Sequence, residues 1–211
     1  MMTTPAVPEP TLRSFDNPTR ALVRLSAVIT GGTEQKLREV ISLETSDIPE
    51  VWVEELILQS YLFAGFPRAL NAMREWRRVH GTPVSRSVSH DLLQWREDGR
   101  EMCEAVYGSM YHRLRENIRE LHPLLDDWMI TEGYGKVLSR PGLDLPRREL
   151  CIVAACASAG QDRQLHSHLH GARNVGVAPV VIDDCVGDLT DLLDEDRAQS
   201  LRLLWARVRG K

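Results

Sequence analysis

Apolar positions along the chain recur at helical spacing almost throughout, and the period-two alternation of a half-buried strand is nearly absent. Asn17-Pro18 predicts the start of a first helix, with proline in the first turn, where its missing N–H costs nothing. A second helix is predicted from near Thr33, with Glu34 and Lys36 in its first turn. A third runs from Pro49, placing Val53, Leu56, Ile57 and Ser60 on one face, until Gly65-Phe66-Pro67 breaks it. Arg68–His80 follows, carrying Leu70, Met73 and Trp76. The next helices are predicted around Gly99–Leu121 and from Pro123 to about Tyr134. Gly133-Tyr134-Gly135 and Arg140-Pro141-Gly142 predict a turn-rich connection. Pro146 opens a helix over Arg147–Ala159, stopped by Gly160, and Gln161–Val175 is stopped by Gly176. Pro179–Leu193 and Glu195–Arg209 complete an all-α chain.

Residues 1–16, rich in proline and threonine, read as a disordered or loosely docked arm. Residues 17–211 read as a single all-α domain of two related halves, about 17–80 and 146–211, joined by a helical connector over 90–145. Gly81–His90 (GTPVSRSVSH) is the linker within it, small, polar and broken by proline. The halves align without gaps at an offset of 129: Gly31 meets Gly160, Gln35 meets Gln164, Val51 meets Val180, Arg68 meets Arg197 and Trp76 meets Trp205. A shared offset together with a shared helix pattern points to an internal duplication.

Composition narrows the function classes. The chain has 211 residues and a net charge of -4, with both signs interleaved and no basic stripe, which argues against nucleic acid as a partner. No segment has the roughly 20 consecutive apolar residues that a membrane span needs, and the first ten residues lack the apolar run of a signal peptide. Cys103, Cys151, Cys156 and Cys185 include no C-x-x-C spacing, so a cytoplasmic protein with reduced, buried thiols is the expectation.

Three stretches then carry a resemblance. Tyr134-Gly135-Lys136-Val137-Leu138-Ser139-Arg140-Pro141-Gly142-Leu143, followed by Arg148-Glu149-Leu150, resembles the entry to the core of the carboxymuconolactone decarboxylase-like superfamily. Gln164-Leu165-His166-Ser167-His168-Leu169-His170-Gly171-Ala172-Arg173-Asn174-Val175-Gly176-Val177 resembles its histidine helix and the glycine turn after it. Glu54–Tyr61 with Gly65–Ala72 is similar to its closing helix pair. The resemblance covers most of the chain after residue 17. It implies an all-α fold and a homo-oligomer, so that with the internal repeat a duplicated helical bundle is expected, and it includes both decarboxylases and alkylhydroperoxidase D-like peroxidases. The peroxidase pattern is a glutamate, a cysteine twelve residues on, a second cysteine three further and a histidine four further. Setting that histidine on His168 places the glutamate on Glu149 and the two cysteines on Gln161 and Gln164. Carboxylate and imidazole are kept while both sulfurs are gone, which argues against thiol peroxidase activity, since glutamine supplies neither a thiolate nor a resolving thiol.

What the resemblance leaves is acid–base chemistry. Glu149 and His168 are the candidate catalytic pair, since a carboxylate beside an imidazole can shuttle a proton. Gln161 and Gln164 could hydrogen-bond a substrate carbonyl or carboxylate, and Arg173 could hold an anion as a bidentate fork. Against this, His168 shares a helix face with Leu165, Leu169 and Ala172, as a structural core histidine would. Glu149 in a first turn is also favoured by the helix dipole alone. His166 and His170 form an i, i+4 pair with His168 on the opposite face, and the pair lacks an evident third ligand. No metal site and no cofactor are expected. At the same offset Arg20 stands opposite Glu149 and Glu39 opposite His168, so the first half is expected to wall the pocket, with Trp52, Tyr61, Phe63 and Phe66 as candidate lining. Two readings follow: a lyase-like enzyme acting on a small carboxylated or lactone substrate, and a non-catalytic scaffold or small-molecule binding protein that kept the fold after losing the thiols.

Overall fold

The computed structural model describes residues 11–81 and 91–210. The first ten residues of the expected arm and all of the expected linker except Gly81 lie outside the described residues. Among the described residues the chain is helical, and its one extended pairing is an isolated parallel bridge between Leu12 and Val177. Residues 11–16 are docked through that bridge: the Thr11 N–H donates to the Gly176 carbonyl at 2.9 Å and the Ala178 N–H to the Leu12 carbonyl at 2.9 Å.

The first half comprises α1 (Asn17–Gly31), α2 (Glu34–Glu44) and α3 (Glu50–His80). The second comprises α7 (Leu145–Ala159), α8 (Asp162–Asn174), α9 (Pro179–Thr190) and α10 (Glu195–Arg209). Local chemistry sets the helix starts. Asp16, Asp144 and Asp194 each accept the backbone N–H three residues on, satisfying a donor that has no intrahelical partner. Gly65, at φ 78° and ψ 161°, interrupts α3, and Pro67 just beyond it supplies no N–H. The interruption divides α3 into two arms.

The caps correct the gapless alignment. Asp16-Asn17-Pro18 and Asp144-Leu145-Pro146 start equivalent helices 128 residues apart, whereas the buried tryptophans Trp76 and Trp205 are 129 apart. The second half therefore carries one extra residue between those points. In the first two helices, Glu149 then corresponds to Ala21 and His168 to Val40, both buried and apolar. Neither member of the pair is repeated, and the first half fills both positions with core.

The connector departs most from the sequence expectation. Its first helix, α4 (Leu92–Tyr107), begins seven residues before Gly99 and stops at Gly108, whose φ is 52°. A single 3-10 turn (Gly108–Met110) leads to α5 (Tyr111–Leu121) and the short α6 (Pro123–Trp128). The expected turn at Gly133-Tyr134-Gly135 is instead the middle of a π-helix, Met129–Leu138. Packing accounts for it: α4 and the π-helix cross backbone to backbone, so that a Cβ on Gly99 would lie 2.0 Å from the Ile130 carbonyl oxygen. A Cβ on Gly135 would lie 1.9 Å from that of Trp95. Gly135, which reads as a turn residue, is there for close approach.

α1 packs along α7 and joins the halves. The core has two parts. One is built from the second half with α4 and the π-helix, and holds Cys103, Cys156 and Cys185. The other is built from α1, α2 and α3, and reaches across to Leu143 and Cys151. A buried polar clamp fixes α3 to the start of α7. Arg148 donates to Glu55 at 3.1 Å, to Gln59 at 3.2 Å and to the carbonyls of Leu143 and Arg140. Arg140 forks onto the same Glu55 carboxylate at 2.9 Å through both contacts.

Candidate active site

Glu149 lies in the second turn of α7, one residue after the clamp, and is 0% exposed. His168 lies in the middle of α8, on the face of Leu165, Leu169 and Ala172, and is 5% exposed. The two helices bring them together, with His168 Nδ1 2.8 Å from Glu149 Oε2. Gly171 permits the approach, since a Cβ there would lie 2.6 Å from that same carboxylate oxygen and 2.8 Å from Val106 Cγ1. The second carboxylate oxygen, Glu149 Oε1, is buried and has no hydrogen-bond partner among the described residues. A buried acceptor left unpaired is costly, and where one persists it marks a place for a donor from elsewhere.

Comparison with known proteins bears on this pair. Residues 125–206 match the model of the carboxymuconolactone decarboxylase family, a span that holds Glu149, His168, Gln161, Gln164 and Arg173. A 4-carboxymuconolactone decarboxylase of Acinetobacter baylyi is 29% identical over 82 residues, covering 38% of this chain and 61% of that protein. Residues 125–206 are thus similar to the carboxymuconolactone decarboxylase family, and the relative's similarity supports the same family. It is also similar to "Peroxisomal protein 2" of Schizosaccharomyces pombe, 29% identical over 129 residues, 59% of this chain and 60% of that protein. The chain thus spans about three fifths of the length of these curated relatives.

Of the residues singled out from sequence, the dyad is assembled and the others stand apart from it. Gln161 precedes α8 and Gln164 lies in its first turn; both are exposed, and neither hydrogen-bonds Glu149 or His168. Arg173 donates to the Val208 carbonyl, tying the end of α8 to the end of α10. The rings of His166 and His170 meet edge to face at 4.9 Å. Among the described residues no group of three or more His, Cys, Asp or Glu side chains is placed to hold a metal ion. Of the four candidate lining aromatics, Phe63 reaches the dyad, edge-on to His168 with ring centroids 6.1 Å apart. Tyr61 stacks on Phe66, and Trp52 lies against the Arg147 guanidinium.

All four cysteines are free and buried. Burial pushes the Cys103 and Cys156 thiols up to about 12, and the Glu149 carboxylate adds to both shifts. Burial also pushes Cys151 and Cys185 well above the usual thiol range. Thiolate, the nucleophilic form, is therefore scarce at neutral pH.

The connector contributes two residues that the sequence reading passed over. Tyr107, at the end of α4, has its ring centroid 6.2 Å from that of His168. Tyr134, in the π-helix, packs its ring 6.1 Å from that of Tyr107. Both phenols are raised above their usual range, chiefly by burial and further by the nearby Glu149 carboxylate. Tyr134 stands inside the stretch that carries the family resemblance. Tyr107 and Phe63 lie outside the matched span, and their proximity to His168 follows from how α3 and α4 pack.

Proposed function

We propose that the protein is a lyase-like enzyme of its superfamily that acts on a small carboxylated or lactone compound by proton transfer at Glu149 and His168. The observation that carries this reading is the buried 2.8 Å contact between His168 Nδ1 and Glu149 Oε2. An Nδ1–H donated to the carboxylate fixes the imidazole tautomer and leaves the Nε2 lone pair as the base. In the charged state, Nε2–H is the acid and the carboxylate stabilises the imidazolium. The name of the Acinetobacter relative supports a carboxylated lactone as the substrate class to test first. Assembly as a homo-oligomer belongs to the same proposal. Among the described residues no helix is long and apolar enough to cross a membrane. The cytoplasmic setting expected from the thiols competes with the peroxisomal one suggested by the name of the fission-yeast relative.

The near-complete burial of His168 favours a second reading, a scaffold that kept the fold without the chemistry. The experiment is to follow loss of carboxymuconolactone absorbance with purified protein beside His168→Gln and Glu149→Gln. The expected result is turnover by the native protein that falls by about 10²- to 10⁴-fold in His168→Gln, the range of a lost general acid–base. Equal turnover in native protein and variants would remove the dyad from the chemistry, and no turnover by the native protein would favour the scaffold.

A further inference from the structure

The two rings that flank His168 differ in chemistry. Phe63, from α3, presents a hydrocarbon edge at 6.1 Å between centroids, and Tyr107, from α4, a phenol-bearing ring at 6.2 Å. Both are partly buried, whereas the histidine between them is almost fully buried. Among the described residues His168 has its hydrogen bond to Glu149 through Nδ1, and Nε2 has no hydrogen-bond partner. The dyad itself is short of a donor at Glu149 Oε1. Four elements therefore meet around the histidine: α7 and α8 with the dyad, α4 with Tyr107 and, beside Tyr107, the π-helix with Tyr134.

We propose that Tyr107 is the hydrogen-bond donor of this site, binding the carbonyl oxygen of a small planar ligand whose proton exchange is carried out by His168 Nε2, with the Tyr134 ring packed edge to face beside it. The proposal rests on the acid–base reading of the dyad and narrows its substrate class to conjugated carbonyl compounds that pass through an enolate. The electron count is the same for two reactions. In proton abstraction the C–H bond next to the carbonyl breaks, its proton goes to Nε2, and its electron pair forms the enolate. In decarboxylation the bond to the carboxylate breaks, carbon dioxide leaves, and the electron pair enters the same conjugated system. The carbon then takes the proton of Nε2–H, and the imidazole recovers a proton from water. Both place negative charge on the carbonyl oxygen, where a preorganised donor acts most strongly. A phenol kept neutral by burial offers its proton as a donor and adds no charge of its own. The π-helix fits this placement, since such segments occur frequently at functional sites.

The test uses 4-nitrophenolate, a planar oxyanion whose absorbance reports its ionisation, as a mimic of the enolate. Binding is titrated to native protein, Tyr107→Phe, Tyr134→Phe and His168→Gln, with thermal unfolding confirming that each variant is folded. The expected result is that Tyr107→Phe weakens binding of the anion by about tenfold or more, as loss of a hydrogen bond to a charged group does. The smaller loss is expected in Tyr134→Phe, while His168→Gln still binds the probe. Equal binding by native protein and Tyr107→Phe, or no binding by the native protein, overturns the donor role. Because this readout needs no turnover, Tyr107-dependent binding beside an inactive native protein would sink the acid–base reading and leave the donor standing.

Discussion

At the residue scale, burial decides which groups can do chemistry. The four cysteines are the strongest nucleophiles in the composition, yet their surroundings hold them protonated. Native protein at pH 7.5 (about the usual assay pH) is expected to react with Ellman's reagent only on unfolding, when all four thiols become accessible. Fast reaction of one or more thiols in the folded state would contradict the buried placement. The same groups fix the sign of an alkaline effect. Cys103, Cys156, Tyr107 and Tyr134 all have folded-state values raised above their ordinary ones. Their contribution is fully present below the unfolded value of 9.0 for a thiol and is lost as pH rises toward about 12. The melting temperature should therefore fall steadily above about pH 9, and Cys103→Ser together with Cys156→Ser should flatten that fall. A melting temperature that stays level from pH 9 to 11 would count against it.

At the scale of elements, the crossing of α4 with the π-helix places the two tyrosines. Its closeness depends on the missing side chains of Gly99 and Gly135, each facing a carbonyl oxygen about 2 Å from where a Cβ would lie. Backbone cannot yield as a flexible side chain can. Gly99→Ala and Gly135→Ala should each destabilise by about 1–3 kcal/mol or more, measured by urea unfolding. Gly187 in α9 is the control, with nothing within 4 Å of its Cβ position. Gly187→Ala should stabilise by roughly 0.5–1 kcal/mol, since alanine loses less backbone entropy in a helix. Destabilisation of the same size at all three positions would mean that helix propensity, not the crossing, is being measured.

At the scale of the whole molecule, the halves are held by α1 against α7 and by the clamp of Glu55, Gln59, Arg140 and Arg148. Glu55 and Arg148 are 1% and 0% exposed, so removing one charge strands another where water cannot reach it. Glu55→Gln should cost about 3–5 kcal/mol in chemical denaturation. A loss within experimental error of zero would show that the arginines find other partners. The same helix face carries Glu55, Gln59 and Phe63 at successive intervals of four, running from the clamp to the ring edge at His168. Loosening the clamp is accordingly expected to disturb the surroundings of His168, seen as a change in its imidazole nitrogen resonances.

The sequence by itself determined the helical class and most helix ends, and the family resemblance it carries singled out Glu149 and His168, which the structure places in contact. These depend on information local in the chain: apolar periodicity, aspartate and proline at helix starts, glycine at helix ends, and motif spacing along two consecutive helices. Gly133-Tyr134-Gly135 was misread for the same reason, because glycine marks a turn and a close crossing with one symbol, and only the opposing α4 tells them apart. A gapless comparison at 129 hides that the aspartate caps Asp16 and Asp144 are 128 residues apart. Tertiary structure alone decided that Tyr107 and Phe63 flank the histidine, that Arg173 ties α8 to α10, and that Gln161 and Gln164 face outward. Tyr107 lies 61 residues and Phe63 105 residues before His168 in the chain. No local pattern encodes distances of that kind; they arise when burying the apolar faces of separate helices fixes which side chains must meet.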